Sequence, residues 1–174
     1  MWVFLASDCM FFGSLISAYM ISKNRSVVGP YPDDLINIPF TSVSSFVLLM
    51  SSLAMVLGLA AVQRSDRGRA MLWLGSTAFL GAVFLGFQVY EFTHFYHEGL
   101  TLQSNLFGST FYMLTGFHGA HVFVGVIYLL TLVVLAGKGQ LGPEKALNVE
   151  IAGLYWHFVD VVWIVIFPLV YLIP

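Results

Sequence analysis

Charge is scarce in this chain: only 9% of its 174 residues are Asp, Glu, Lys or Arg, against about 25% in a soluble domain. The few charges sit in short patches separated by long uncharged runs, while 59% of the residues are hydrophobic. That pattern excludes an ordinary water-soluble domain and reads as membrane spans. There is one cysteine, Cys9, so an intramolecular disulfide and a cysteine-based zinc or iron–sulfur site are excluded. Cys9 is expected as a small apolar core residue. No phosphate-binding glycine loop, nucleophile elbow or basic nucleic-acid patch occurs, so nucleic acid is not an expected partner. The net charge of −2 carries little information, since charge in a membrane protein matters by side of the bilayer.

What is present is five apolar segments. They predict an all-α bundle of five transmembrane helices at about 1–22, 41–63, 70–92, 107–136 and 149–173, forming one transmembrane domain over 1–174. The first segment has no basic residue before it and outruns a signal-peptide core, so it is expected to stay as a helix. Either that helix starts at Met1 or a leading segment precedes it. The fourth segment overshoots the hydrocarbon unless it tilts or projects. Pro168 should kink or end the fifth. Turns are expected at Gly29–Asp34 and Gly137–Pro143. Arg64, Arg67, Arg69, Lys138 and Lys145 fall on one side, Lys23 and Arg25 on the other. By the excess of positive charge the first side is cytoplasmic, which puts the N-terminus inside, the C-terminus outside and the His94–Asn105 loop outside.

Polar residues recur at helical spacing. Glu150, Gly153, His157, Asp160, Ile164 and Tyr171 share a face of the fifth helix. Thr77, Gly81, Phe84, Gln88 and Glu91 do so in the third, and Thr110, Leu114, His118, His121 and Gly125 in the fourth. A carboxylate facing lipid costs about 2.5–3.5 kcal/mol, so Asp160 should find a partner in His157 or across the bundle. Asp8 is a lone acid on an apolar helix, with a structural or a proton- or lipid-related role. Small residues four apart, Ser14/Ala18, Ala54/Gly58 and Ala82/Gly86, would allow close helix approach. Three chemical readings stand side by side. His94, His118, His121 and His157 are candidates for haem ligation. Glu91-x-x-His94 has the spacing of a di-iron carboxylate site, though in one copy only. The third reading is an interhelical hydrogen-bond network without metal.

Gly108-Ser-Thr-Phe-Tyr-Met-Leu-Thr-Gly-Phe-His-Gly-Ala-His121 and Tyr155-Trp-His-Phe-Val-Asp-Val-Val-Trp163 resemble the signature segments of subunit III of haem–copper terminal oxidases. So do Gly86-Phe-Gln-Val-Tyr-Glu91 and Trp2-Val-Phe-Leu-Ala-Ser-Asp8. The resemblance covers essentially the whole chain. It implies an accessory subunit with no catalytic residues, metal or redox centre of its own, packed beside the catalytic subunit I, which holds haem and copper, and with subunit II in the same assembly. It further implies bound phospholipid, a part in steadying proton uptake and preventing turnover-linked inactivation, and a bacterial inner (plasma) membrane rather than a mitochondrial one. Asp8 and Glu91 then read as buried, proton-related acids, and Gln88, His118, His121, Glu150, His157 and Asp160 as network members.

The family's cytochrome c oxidases usually carry a carbodiimide-reactive glutamate where this chain has Asp8, one methylene shorter. Ser7-Asp8-Cys9 is similar to the quinol-oxidase branch, while Thr115-Gly-Phe-His-Gly119 is similar to the cytochrome c branch. Cytochrome c is the expected donor to the complex, with quinol the alternative. Many members have seven helices, of which this chain matches the last five. The family's lipid cleft lies between its first two helices and these five, so its outer wall here is expected from another chain or from lipid. Lys138 is the cation best placed for a lipid phosphate, against the plainer reading of an ordinary cytoplasmic-side lysine.

Overall fold

The computed structural model describes residues 1–23, 38–101 and 106–172. Among these residues five helices are long and apolar enough to cross a membrane. They are α1 (Trp2–Ser22), α2 (Ile38–Gln63), α3 (Arg67–His97), α4 (Leu106–Gly137) and α5 (Ala146–Phe167), the last entered through a short 3-10 turn, Pro143–Lys145. The expected turn at 29–34 and Arg25 lie outside the described residues.

α3 runs five residues beyond its expected end, so His94 lies in the helix and not in a loop. Its length comes from its ends. At the start the Asp66 side chain accepts from the Arg69 backbone N–H at 3.0 Å, occupying one of the donors that a helix N-terminus leaves bare. At the finish Gly99 takes φ +85, a left-handed conformation that glycine adopts without penalty. The 31 residues of α3 and 32 of α4 give lengths of about 46 and 48 Å against about 30 Å of hydrocarbon, so both must tilt or project.

At Pro168 the α-helix gives way to a π turn, Pro168–Leu172. Proline has no N–H to continue the α-helical ladder, and the wider turn keeps the chain helical while swinging Tyr171 into the core, where it is buried.

α5 is the hub of the bundle. It packs on α1, α2 and α4, and α3 bridges α2 and α4. The close approach depends on glycine. Trp156 of α5 is 1% exposed, and a Cβ at Gly81 of α3 would stand 2.5 Å from its Cη2, one at Gly125 of α4 2.8 Å from its Cζ3. Two helices thus give up a side chain each to admit one indole, whose Nε1 donates to Ser51 Oγ of α2 at 2.9 Å. Of the expected small-residue pairs only Ala54/Gly58 works in this way, buried with Gly58 against Leu74. Ser14/Ala18 and Ala82/Gly86 are exposed, because small size permits contact but does not choose the face. Cys9 is likewise exposed on the outer side of α1, not in the core.

The outer surface is apolar, with Trp2, Val3, Met10, Phe79 and Leu147 among its most exposed side chains. In a bilayer that surface has lipid or protein for its surroundings.

Gly81→Val or Gly125→Val should lower stability by about 1–3 kcal/mol through overpacking. Combining either with Trp156→Leu should recover part of that loss, a coupling that unfolding measurements in detergent would read.

Candidate functional site

α2 contains no Asp, Glu, Lys, Arg or His, yet it supplies most of the partners for the polar groups of the core. Thr41, Ser44, Ser45 and Ser51 are buried and Ser52 half-buried, at three-, four- and seven-residue steps that keep them on the side facing α5 and α3. Such hydroxyls also donate to carbonyls of their own helix, as Ser45 does to Thr41 O at 2.7 Å, so they remain satisfied while accepting from across the interface.

Three clusters result. Near the end of the bundle formed by Ile38, His97 and Leu172, Glu91 of α3 accepts from Thr41 Oγ1 at 2.9 Å and from Tyr171 OH at 3.0 Å. Each carboxylate oxygen has a donor from a different element.

The central cluster is largely aromatic. Gln88 Nε2 donates to Thr115 O at 2.6 Å, and the amide fits only because residue 119 is glycine: a Cβ there would stand 2.5 Å from Gln88 Oε1. His118 is fully buried. Its ring stacks on Trp163 with centroids 4.8 Å apart, and Phe84 meets it edge-on at 5.9 Å; neither of its nitrogens has a hydrogen bond. Trp163 is held in turn by Nε1 donating to Ser45 Oγ at 2.8 Å. His121, one turn further along α4, turns outward to α1, its Nε2 3.6 Å from Asp8 Oδ2. The two histidines therefore serve different interfaces.

The third cluster joins α2 and α5. Ser52 Oγ donates to Asp160 Oδ2 and lies 3.0 Å from His157 Nδ1. Asp160 is buried, and its partner across the bundle is this hydroxyl.

The stripe expected along α5 does not all face the core. Glu150 and Ile164 are exposed and His157 is half-buried, whereas Gly153, Asp160 and Tyr171 are buried. A seven-residue step repeats the direction of His157, toward a groove between α2, α5 and the start of α1; a three-residue step turns toward α2. Glu150, expected in the network, lines that groove and has no hydrogen bond among the described residues. Lys138 is exposed, one residue past the end of α4, with its backbone N–H on Val134 O.

The residues considered as metal ligands are dispersed. Glu91 is engaged by two hydroxyls, His94 is exposed, His118 lies within aromatic rings and His121 faces Asp8. Among the described residues no group of three or more His, Cys, Asp or Glu is placed to hold a metal ion. Sequence reasoning missed the hydroxyls of α2 and the two tryptophans they anchor. The signal was there in the spacing of Thr41, Ser45 and Ser52, but serine and threonine do not stand out in a membrane helix.

Fold and site together define a class: a polytopic helical membrane protein whose buried carboxylates meet hydroxyl groups across helix interfaces beneath a largely apolar exterior. The sequence profile of the family described as cytochrome c oxidase subunit III matches residues 1–173. Cytochrome c oxidase subunit 3 of Bacillus sp. (strain PS3) is 39% identical over 98% of this chain and 83% of its own length. Quinol oxidase subunit 3 of Bacillus subtilis (strain 168) is 36% identical over 98% of the chain and 84% of its own. Cytochrome c oxidase subunit 3 of Corynebacterium diphtheriae is 36% identical over 98% and 85%. The chain belongs to the cytochrome c oxidase subunit III family and is a subunit III of a haem–copper oxidase.

Thr41→Val and Tyr171→Phe should each cost about 1 kcal/mol of stability. The double variant should cost more than the sum, because Glu91 then loses both donors in a dry interior. A double-mutant cycle by chemical unfolding in detergent checks this; strict additivity would argue against a shared acceptor.

Proposed function

We propose that this chain is a non-redox accessory subunit of an aa3-type cytochrome c oxidase in a bacterial plasma membrane, one that steadies the catalytic subunit and supports its proton uptake in aerobic respiration. Family membership over residues 1–173 carries this reading. The geometry supports it, since Glu91, Gln88, His121, His157 and Asp160 have partners within the bundle. Haem and copper belong to the partner subunits, with subunits I and II beside this chain and cytochrome c as donor. The described part of the chain acts as a single transmembrane domain with its N-terminus cytoplasmic. Arg64, Arg67, Lys138 and Lys145 lie at the cytoplasmic end, where anionic phospholipid gathers and Lys138 meets a lipid phosphate. Asp8, linking α1 to α4 through His121, takes the place of the family glutamate.

The second reading, a quinol oxidase subunit III, is favoured by Ser7-Asp8-Cys9 and by the relative of that name.

Capture through a tag on this chain from native membranes should bring down a haem-containing catalytic subunit, and the chain once separated should have no Soret absorption of its own. A Soret band that stays with the separated chain would overturn the accessory reading. The captured complex should oxidise reduced cytochrome c; oxidation of a quinol instead would favour the second reading.

Asp8→Ala should leave the initial oxidase rate near that of the parent and shorten the active lifetime during turnover. Progress curves at saturating donor measure both, and equal decay in variant and parent would remove Asp8 from this role.

A further inference from the structure

The groove between α2, α5 and the start of α1 has a volume of about 450 Å³ and is lined by Met55, Val56, Leu59, Glu150, Gly153 and His157 among others. The lining is mostly apolar, and its polar side chains are Glu150 and His157. Its polar side chains form a line. Glu150 is exposed near the start of α5, and His157 lies seven residues on, about 10 Å along the axis. Gly153 stands between them and puts no side chain in the way.

Behind His157 the hydrogen bonds continue inward. Ser52 has one hydroxyl hydrogen and donates it to Asp160 Oδ2. Its 3.0 Å contact with His157 Nδ1 is then a hydrogen bond only if Nδ1 carries the proton and Ser52 Oγ accepts. That leaves Nε2 bare as an acceptor. The other carboxylate oxygen, Asp160 Oδ1, is buried with no partner, so the acid has one hydrogen-bonded route out, through Ser52 to the groove.

We propose that His157, Ser52 and Asp160 form a proton relay that loads and unloads the buried Asp160 from the groove. A proton added at His157 Nε2 releases the Nδ1 proton to Ser52 Oγ, and the Ser52 hydroxyl proton passes to Asp160 Oδ2. One proton enters, one O–H bond forms on the carboxylate, and the imidazole stays neutral with its tautomer exchanged. All the hydrogen bonds have reversed direction: Asp160 donates to Ser52, and Ser52 donates to His157 Nδ1. Unloading is the same sequence run backward. Glu150, at the mouth, is the group that meets protons first.

α2 has no acidic, basic, tyrosine or cysteine side chain. On the other helices, Asp8 lies 3.6 Å from His121, Glu91 accepts from Tyr171 and His118 stacks on Trp163. The relay requires nothing of the oxidase reaction, so its test is separate from that of the proposed function.

The experiment is infrared spectroscopy of the detergent-purified complex containing this chain, following hydrogen–deuterium exchange of the protonated-carboxyl band that Asp160→Asn removes. Ser52→Ala should slow exchange of that band by at least about tenfold, the effect of taking one positioned donor–acceptor from a transfer route, and Ser52→Thr should restore it. Should Ser52→Ala fail to assemble, His157→Phe, at the half-buried groove wall, provides the same reading. Unchanged exchange in these variants would overturn the proposal, as would the absence at every pH of any carboxyl band that Asp160→Asn removes.

Discussion

The indole of Trp156 fixes how the helices of this bundle can meet. It is too large to lie between two ordinary helices at close range, and it fits because α3 and α4 present Gly81 and Gly125 to it. Its N–H would be costly without a partner in a dry interior, and Ser51 of α2 supplies one. One side chain of α5 thereby sets its distance to α3 and α4 through shape and its alignment with α2 through a hydrogen bond. Between helices in a bilayer, van der Waals fit and such bonds carry the association that apolar burial drives in water.

Once α2 and α5 are aligned, the remaining polar groups fall into place along the same seam. Trp163 reaches Ser45, and Asp160 and His157 reach Ser52. Glu91 on α3 meets Thr41 from α2 and Tyr171 from the π turn. The hydroxyls of α2 are small enough to sit at close helix contacts and keep a bond to their own backbone when no partner comes. Glu91 and Asp160 are thus turned inward, and the outer face is left largely apolar for lipid and for neighbouring subunits. Asp8 stands apart, near the edge of the bundle on α1, where its link to His121 ties the outermost helix to α4.

The helices themselves were legible, since twenty or so apolar residues without charge have few alternatives in any solvent. The stripe Thr77, Gly81, Phe84, Gln88 and Glu91 was legible as well, and all five are buried. Less could be read where chemistry did not discriminate. Cys9 and the pairs Ser14/Ala18 and Ala82/Gly86 suit a core or a surface equally, and the structure puts them outside. Glu150 and Asp160 are both acids on one helix, and only the position of α2 separates the exposed one from the buried one. Histidine spacing alone left haem ligation open; His118 within its aromatic stack and His121 against Asp8 show two neighbours in sequence serving different purposes.

The sequence by itself determined that the chain lives in a bilayer, how many times its apolar segments can cross, and, through the residues about His118 and His157, which family it joins. These follow from local composition, periodicity and motif, each read within a single helix. Which serine answers which tryptophan, which acid is buried, and where a groove reaches a hydrogen-bonded chain were decided by the tertiary structure. Those depend on the rotation and depth of one helix against another, and a hydroxyl or a glycine acquires its role only when a specific side chain from another helix arrives beside it.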